Sequence, residues 1–240
     1  MGSPVVRRSP VHGGVVVAAQ RLTPRMRRIT VRSDAAVGLD VRPAQDIELL
    51  LREASGRRVK RRYTIRHARQ ETGELDLDVL LHGDGPGARW GEHAEPGDPV
   101  EYQGPRGKLE LRSAPWHLLV GDESALPAIA AIAEALPAHE LALAVVEVED
   151  GDDELPVAAE TRWVHRGGAP AGTADRLIAA VTDLAIADGA RAYLMGESRA
   201  MVALRAVLEQ RGIDHDAIFV KGYWNIGRPD RLAGRTPAAG

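Results

Sequence analysis

The chain has 240 residues, of which 44% are hydrophobic and 27% charged, with a formal net charge of −3 and no cysteine. Its length allows one large domain or two smaller ones, and the lack of thiols excludes an iron–sulfur cluster, a disulfide, a cysteine-ligated zinc ion and a cysteine nucleophile. No stretch approaches the roughly 18 consecutive apolar residues of a membrane span, so we expect a cytoplasmic protein with no membrane insertion.

Residues 1–113 contain short segments that predict β-strands, each bounded by turn residues. These segments are 14–21, 26–32, 46–52, 61–67, 75–82 and 99–103. From 75 to 78 apolar and acidic residues alternate, and 79–81 are continuously apolar, which predicts a strand with one solvent-exposed face that then runs inward. A glycine-rich turn at 83–87 and a short helix at 88–94 interrupt the series. Together the segments predict an antiparallel six-stranded barrel.

The pattern changes near Ser113, where we place the boundary between a domain at 1–113 and a domain at 114–240. Strands are predicted at 116–120, 141–148, 161–165, 191–195 and 218–222, and helices at 126–136, 174–187 and 199–211, the second capped by Thr173. Strands that alternate with helices predict βαβ units and a parallel sheet. The sequence loses all periodicity near its end, which predicts a mobile tail from about residue 229.

One predicted strand carries a cation, an aromatic ring and a hydroxyl close together. Because strand side chains alternate, Arg61 and Tyr63 share one face, and Arg62 and Thr64 share the other. A guanidinium suits a pyrophosphate, a ring can stack on an isoalloxazine, and a hydroxyl can lie near the flavin N5. Taken alone, the pattern favours a solvated basic strand with an ordinary tyrosine.

Three loops each follow a strand and precede a helix, where backbone amides can bind a phosphate. They contain His82, Gly83, Gly87 and Ala88; Gly121, Asp122, Glu123 and Ser124; and Gly196, Glu197 and Ser198. Taken alone, the first loop is as typical of a plain turn as of a phosphate site. In the second, Asp122 and Glu123 would repel a pyrophosphate unless the backbone turns them away, and Ser124 also suits a helix N-cap. The third alone favours simple helix capping.

An aromatic pair, Tyr223 and Trp224, follows the last predicted strand in a chain that is only 4% aromatic. Such a pair can close over a cofactor, although taken alone it favours the capping of a hydrophobic core. The eight histidines show none of the spacings that usually bring two metal ligands together on one helix. We therefore expect no protein-bound metal.

Six ordered blocks together resemble the siderophore-interacting proteins, a family that includes ferric-siderophore reductases and is related to the ferredoxin-reductase-like flavoproteins. The blocks are RRYTIR at 61–66, LHGDGPGARW at 81–90, GPRG at 104–107, GDESALPAI at 121–129, MGES at 195–198 and GYWNIG at 222–227. The resemblance extends roughly from residue 11 to residue 227. It implies an N-terminal FAD-binding barrel and a C-terminal NAD(P)H-binding α/β domain.

The resemblance also implies roles for the candidate residues. Arg61, Tyr63 and Thr64 match the flavin motif; His82, Gly83, Gly87 and Ala88 fall in the pyrophosphate segment; the loops that begin at Gly121 and Gly196 match the pyridine-nucleotide side; and Tyr223 and Trp224 match the C-terminal aromatic pair. Two positions depart from the family pattern. Ala88 stands where the family usually has Ser or Thr, which removes a phosphate donor, and Asn225 replaces a common Arg.

These features predict a flavoprotein that uses NADH or NADPH to reduce iron(III) held by a siderophore. A flavin suits this reaction because it accepts an electron pair and can pass electrons singly, so no catalytic side chain is expected. The basic run at 52–69 would attract an anionic ferric complex. We expect Arg58, Lys60, Arg66 and Lys221 to bind that substrate.

Two other functions stay open at this point. The first is a flavin-containing siderophore-binding or electron-transfer protein without reductase turnover. Separately, the electron donor could be an external protein such as ferredoxin. The second is nucleic-acid binding by the run at 52–69, which the negative net charge and sparse aromatics disfavour. For the nucleotide, Glu147 favours NADH because an acid can hold the ribose 2′-hydroxyl and repel a 2′-phosphate. Arg199 instead favours NADPH.

Overall fold

The first part of the chain forms a closed antiparallel barrel in the computed structural model, which describes residues 9–53 and 55–227. Its strands are β1 (His12–Thr23), β2 (Met26–Arg32), β3 (Asp46–Arg52), β4 (Arg58–Arg69), β5 (Glu74–Leu80) and β6 (Pro99–Arg106), with helix α1 (Pro86–His93) between β5 and β6. The strands close in the order β1-β2-β5-β4-β3-β6. The predicted six-stranded barrel is confirmed.

The barrel interior is filled by apolar side chains at alternate strand positions. Ile29, Ile47, Leu49 and Leu77 are fully buried in one cluster, as the two-residue period of a strand requires. In β3, these inward positions alternate with Asp46 and Glu48, which lie on the outer face. The outer face of β3 therefore carries acids that must find partners on neighbouring strands.

The expectation that β5 has a solvent-exposed face is wrong. Asp76 and Asp78 are both buried, because arginines from the adjacent strands lie over them. Arg28 on β2 donates to both oxygens of Asp78 at 2.6 and 2.8 Å, and Arg69 on β4 does the same for Asp76 at 2.9 and 2.7 Å. Burial alone would raise the pKa of Asp76, but the hydrogen bonds from Arg69 and Thr30 and the charges of Arg69 and Arg28 together outweigh it, so this pKa is lowered.

The second part of the chain is a parallel sheet with helices on both faces. Its strands are β7 (Trp116–Asp122), β8 (Leu141–Val148), β9 (Glu160–His165), β10 (Arg191–Glu197) and β11 (Ile218–Trp224), in the order β11-β10-β7-β8-β9. The helices are α2 (Leu126–Ala135), α3 (Asp175–Thr182) and α4 (Ser198–Gln210). All neighbouring strands pair in parallel. The predicted fold class, a barrel followed by a parallel α/β sheet, is confirmed.

Two separate apolar clusters cover the two faces of this sheet. On one face, Ile129 and Ile132 of α2 pack with Leu119 of β7. On the other, α3 and α4 contribute Leu177 and Leu204. Strands buried on both faces are the rule in parallel sheets, which explains the near-continuous apolar runs of β7 and β8.

Helix α3 differs from its prediction at both ends. It stops at Thr182 rather than near residue 187, and Arg211 explains the stop, because its guanidinium donates to the carbonyl oxygens of Val181 and Leu184. These carbonyls are thereby satisfied without a further helical turn. At the start, Thr173 is not the N-cap. Its hydroxyl donates to the Pro170 oxygen at 2.9 Å, and Ala174 stands at the cap position.

Within the ranges that the structure describes, no helix combines the length and apolar character that crossing a bilayer would require. The tail predicted from about residue 229 lies outside the described residues. Between the two parts of the molecule, β4 packs along α2. We call this boundary between barrel and sheet the domain interface.

Gly73 and Gly38 provide a matched test of the barrel, since both have a positive φ, of 66° and 71°. A Cβ at Gly73 would overlap the Ser33 carbonyl oxygen, whereas at Gly38 it would meet no described atom within 4 Å. We expect Gly38→Ala to lower the free energy of unfolding by about 1 kcal/mol through backbone conformation alone. Gly73→Ala should lower the free energy of unfolding by a further ~1–3 kcal/mol, because the new methyl group overpacks against Ser33. Urea denaturation measures both, and equal losses would contradict the packing argument.

Candidate functional site

The inner face of β4 brings together the first group of predicted site residues. Arg61 and Tyr63 pair with Leu49 and Ile47 of β3, so they point to the same side as the barrel core. The Tyr63 ring lies 5.9 Å from the Trp90 ring of α1, at an interplanar angle of 38°. The Arg61 guanidinium donates to the Lys60 carbonyl oxygen at 2.8 Å. A cation and an aromatic ring thus lie next to α1.

Helix α1 begins directly against this face. Gly85 is its N-cap residue, Pro86 its first residue, and no side chain in the described part of the chain caps it. A Cβ on Gly87 would overlap the Tyr63 hydroxyl and lie 3.4 Å from Cγ of Arg61, so only glycine allows this approach. Uncapped amides and the helix dipole together favour an anion at this end of the helix.

These features fit the diphosphate and ring system of FAD. The uncapped amides of α1 and the neighbouring Arg61 suit a diphosphate, while Tyr63 supplies an aromatic surface. Ala88 is half-buried and offers only its backbone amide. His82 and Gly83 are exposed in the loop that leads into the helix, where Gly83 takes a positive φ of 57°. The roles predicted for these residues stay predictions that the geometry supports.

On the outer face of β4, Thr64 meets the end of the parallel sheet. Its hydroxyl lies 3.4 Å from the Tyr223 hydroxyl, which also contacts the Met195 sulfur at 3.9 Å. The Lys221 ammonium donates to Asp46 at 2.8 Å and lies 4.9 Å from the centre of the Tyr223 ring. Burial raises the pKa of Tyr223, so its hydroxyl stays protonated. Residues predicted from opposite halves of the chain therefore come together here.

At the carboxyl edge of the sheet, the Asp122 carboxylate joins three other predicted residues. One oxygen accepts from the Ser124 amide at 2.9 Å and from its hydroxyl at 2.5 Å. The other accepts from the Glu197 amide and from the Trp224 indole, both at 2.9 Å. Gly196 has a φ of 150°, and a Cβ there would lie 2.6 Å from this second oxygen. The loops at Gly121 and Gly196 converge, as their positions after parallel strands predict.

Glu197 and Ser198 complete this edge. Glu197 is the N-cap of α4, and its side chain accepts from the Ala200 amide at 2.8 Å and from the Ile226 amide at 3.2 Å. The Ser198 hydroxyl donates to the Trp224 carbonyl oxygen at 3.0 Å. Helix capping, considered for this loop from the sequence, is what the structure has. The residue that caps is the glutamate.

The carboxylates at this edge point inward and bind the chain's own amides. Asp122 is the N-cap of a short 3-10 helix at Glu123–Ala125, and Ala125 stands at the N-cap position of α2, so the expectation that Ser124 caps the helix is wrong. Asp122 and Glu197 are buried, with 7% and 1% exposure. Their charges therefore do not face an approaching pyrophosphate. Several amides that could have bound one are already used, however, because internal carboxylates accept from them.

Glu123 and Glu147 lie in a buried charge cluster around Arg166. Glu123 accepts from Arg166 at 2.9 Å, and a Glu147 oxygen lies 3.7 Å from the same guanidinium. Burial, together with the nearby carboxylates of Asp122 and Glu123, raises the pKa of Glu147 to about 7 against the opposing charge of Arg166. Glu147 is only 3% exposed, so the sequence argument that it contacts a ribose is wrong.

The four predicted substrate-binding cations each pair with an acid. Arg58 contacts Glu101, Lys60 contacts Glu48 and Lys221 contacts Asp46, at 2.7, 2.7 and 2.8 Å, while Arg66 contacts Glu134 at 2.5 Å. Arg66 also differs in position. Its partner lies on α2, so the pair crosses the domain interface, and Arg66 lines a cavity of about 140 Å³ between barrel and helix. Arg58 and Lys60 lie on the outer barrel face, and Lys221 reaches Asp46 of that face from β11 of the sheet.

Sequence reasoning missed Asp46, Trp90 and Arg166. Trp90 stands inside a quoted block, and its spacing from Gly87 on a helix was the available signal. Asp46 and Arg166 carry no such signal, because their partners lie far away in the sequence. Among the residues that the structure describes, no three histidine, cysteine, aspartate or glutamate side chains are grouped so that they could hold a metal ion.

Two protein-family models match the chain. The model of the siderophore-interacting FAD-binding domain matches residues 50–109, and the model of the siderophore-interacting protein matches residues 114–227. Together they cover both the barrel motif and the carboxyl edge of the sheet. The two matches therefore include every candidate cofactor-binding residue described above.

Similar proteins point the same way. An uncharacterized protein of Mycobacterium tuberculosis is 34% identical over 93% of this chain and 93% of its own length. The ferric vibriobactin reductase ViuB of Vibrio cholerae is 34% identical over 71% of this chain and 66% of its own length. The crystal structure of a siderophore utilization protein from T. fusca has a TM-score of 0.84 and 30% identity, covering 92% of this chain and 94% of that one.

The buried Glu147 predicts a pH-dependent stability. Its pKa is about 7 in the folded protein against an ordinary 4.5, so the folded state holds the proton more tightly. Stability from this group is complete at low pH and is lost as pH rises through about 7, by on the order of 3 kcal/mol. We expect Glu147→Gln to flatten the fall in unfolding free energy between about pH 5 and pH 8. Exposed Glu160→Gln is the control, and an unchanged slope in Glu147→Gln would contradict the assignment.

Proposed function

Because the chain belongs to the siderophore-interacting protein family, we propose that it is an FAD-dependent reductase that passes electrons from NADH to iron(III) held by a siderophore. One observation carries the proposal. Thr64 of the barrel motif and Tyr223 of the sheet lie 3.4 Å apart. Flavin-side and nucleotide-side residues thus meet at the domain interface, where a nicotinamide and a flavin must meet for electrons to pass.

The barrel residues hold the flavin in this proposal. Arg61 and the first amides of α1 would bind the diphosphate, Tyr63 would contact the ring system, and Thr64 would orient its reactive edge. When bound, FAD supplies the conversion between two-electron and one-electron transfer. One NADH therefore serves two iron(III) complexes and yields NAD⁺, one proton and two iron(II). Iron(II) has the lower charge and binds hard oxygen ligands less strongly, so it is released.

The outer barrel face supplies the charge that attracts the substrate. Around the buried Glu48 carboxylate lie Lys60 at 2.7 Å, Arg106 at 2.8 Å and Arg62 at 3.7 Å, so three cations surround one acid. Burial would raise the pKa of Glu48, but the hydrogen bonds from Lys60 and Arg106 lower it. This excess of positive charge lies on the same face as Thr64 and favours the approach of an anionic ferric complex. Arg66 faces α2 and contributes less.

NADH is the proposed nucleotide because the segment after β8 is strongly acidic. Five of the six residues at 149–154 are Asp or Glu. In doubly wound folds an acid in this region holds the ribose 2′-hydroxyl and repels a 2′-phosphate. Asp152 is exposed there, whereas Glu147 is buried. Exposed Arg199, on the first turn of α4, is the one cation considered for a 2′-phosphate, and it lies beside Glu197.

A second candidate is a flavoprotein that receives its electrons from another protein, such as a ferredoxin. One observation favours it. The amides of Ser124, Glu197 and Ala200 are already bound by the carboxylates of Asp122 and Glu197. A dinucleotide would have to compete with these internal acceptors. The candidate keeps the barrel site and changes only the donor.

The two candidates separate in an anaerobic reduction experiment. Protein loaded with FAD is mixed with NADH, and the flavin absorbance is recorded. A ferric catecholate or ferric hydroxamate siderophore is then added with a chelator that traps iron(II). We expect NADH to bleach the flavin and two iron(II) to appear per NADH. NADPH should be about tenfold less effective in reducing the flavin, which corresponds to roughly 1.4 kcal/mol of repulsion between its 2′-phosphate and the acidic segment at 149–154. A flavin that dithionite bleaches but NADH does not would favour the second candidate.

Gly87 tests the flavin site itself. In Gly87→Ala the new methyl group would displace the Tyr63 hydroxyl, so we expect FAD affinity to fall by about tenfold or more, since a misplacement of about 1 Å is costly. Tyr63→Phe removes that hydroxyl, so the double variant should recover part of the loss. Gly13→Ala is the control, because its Cβ meets no described atom within 4 Å. Titration of FAD by fluorescence measures each, and an unaffected Gly87→Ala would contradict the placement.

Ala88 offers a gain-of-binding test. Ala88→Ser restores a hydroxyl at the first turn of α1, where the resemblance implies a phosphate donor. A hydrogen bond to a charged group is worth about 1.5–3 kcal/mol, so we expect FAD to bind at least several-fold more tightly. The same titration measures it. Weaker binding in Ala88→Ser would indicate that the diphosphate does not lie at this turn.

A further inference from the structure

Arg166 is the centre of a buried charge cluster at the carboxyl edge of the sheet. It follows β9 directly and is only 2% exposed. One guanidinium nitrogen donates to Glu123 at 2.9 Å and to Glu149 at 3.0 Å. Glu123 follows β7, Glu149 follows β8, and the Glu149 amide donates to the Glu123 side chain at 2.8 Å. The cluster thus fixes the ends of three adjacent strands relative to one another.

The barrel reaches into this cluster through Arg25, in the turn between β1 and β2. Its guanidinium lies 3.2 Å from Glu149 and 3.5 Å from Glu123. The same turn makes a second contact, because the Thr23 hydroxyl and the Arg25 amide both donate to Asp153, at 3.0 and 3.3 Å. Two arginines, one from each domain, therefore share the same two carboxylates.

The Arg25 turn is also tied to the flavin side. Its carbonyl oxygen accepts from the Leu81 amide at 2.7 Å, and Leu81 directly precedes the loop that leads into α1. Arg27, two residues later, donates to the carbonyl oxygens of Gly91 and Glu92 in α1 at 2.8 and 2.6 Å. Contacts made by Arg25 and, two residues later, by Arg27 thus link the sheet edge to the helix that contacts Tyr63.

We propose that Arg25, Glu123, Glu149 and Arg166 form a domain clasp that positions the nucleotide-binding edge of the sheet against the flavin-binding end of the barrel. The inference rests on the proposed function, since it assigns these four residues a positioning role in electron transfer from NADH. They need not touch either cofactor. Their effect is exerted through β7, β8 and the entry to α1.

The physical basis is the cost of an unpaired buried charge. Glu123 is 4% exposed and accepts from both the Arg166 guanidinium and the Glu149 amide, so it cannot turn away without losing both. While Glu123 and Glu149 stay in place, Arg25 is held by both carboxylates, and this contact helps to set the angle between the domains. Transfer between two cofactors held by different domains depends steeply on that geometry.

Arg25→Met is the principal variant, because Arg25 is partly exposed and Arg166 remains to neutralise the acids. Arg166→Met would leave buried carboxylates unpaired and risks misfolding. Arg21→Met is the matched control. It lies near the same turn, and its partner Glu92, at 2.7 Å, is an exposed residue of α1. Arg25→Lys keeps the positive charge and should behave much like the parent protein.

The first measurement follows domain geometry without any reaction. Because the natural chain has no cysteine, Val37→Cys and Val202→Cys introduce two labelling sites, one in each domain. Both valines are exposed, with 56% and 62% exposure. Spin labels at these positions report the interdomain distance. We expect Arg25→Met to broaden or shift the distance distribution, while Arg21→Met leaves it as in the parent protein.

The second measurement separates positioning from binding. We expect the rate of flavin reduction by NADH in Arg25→Met to fall by about tenfold to a hundredfold. FAD affinity should stay within about threefold, as for distant sites, and reduction by dithionite should be unchanged. Identical distances and rates in Arg25→Met and Arg21→Met would overturn the clasp. If NADH fails to reduce the parent flavin, the proposed function fails, and the distance measurement alone then decides for or against the clasp.

Discussion

Carboxylates buried where the barrel meets the parallel sheet each need a cation or an amide, since an unpaired buried charge costs several kcal/mol. The buried Asp46 is met by Lys221 of β11, and the buried Glu123 is met by Arg25 of the barrel turn. At the edge of α2, the pair of Arg66 and Glu134 joins the same two layers. Each pair crosses the domain interface, so the charges that must be neutralised also fix the arrangement of the two domains and hence the distance between Thr64 and Tyr223.

The two halves of the candidate site treat anions in opposite ways. On the barrel side, α1 starts without a side-chain cap in the described part of the chain and lies beside Arg61, so it offers a place to an external anion. On the sheet side, Asp122 and Glu197 already bind the amides at the starts of two helices. In the proposed function, this asymmetry favours tight binding of the flavin by the barrel and weak binding of the electron donor by the sheet.

Much of the fold could be predicted because it follows from local periodicity. Two-residue alternation located the barrel strands, and strand-then-helix order located the sheet and the convergence of the loops at Gly121 and Gly196. What failed depended on partners distant in the sequence. The sequence around Asp76 does not indicate that arginines of neighbouring strands bury it. Likewise, Arg211 binds the end of α3 from about thirty residues away. Glu147 stands in the right strand for a ribose contact, but only the fold reveals that it faces Arg166.

The hydrogen bonds of Asp122 have a kinetic consequence. Its carboxylate is bound to the Trp224 indole and to two amides at the sheet edge, so it acts as a tethered competitor for any ligand that approaches those donors. A tethered group has an effective concentration in the millimolar range or above, and it returns as soon as the ligand loosens. A ligand that used these donors would have to displace Asp122, so this edge favours rapid exchange over long residence.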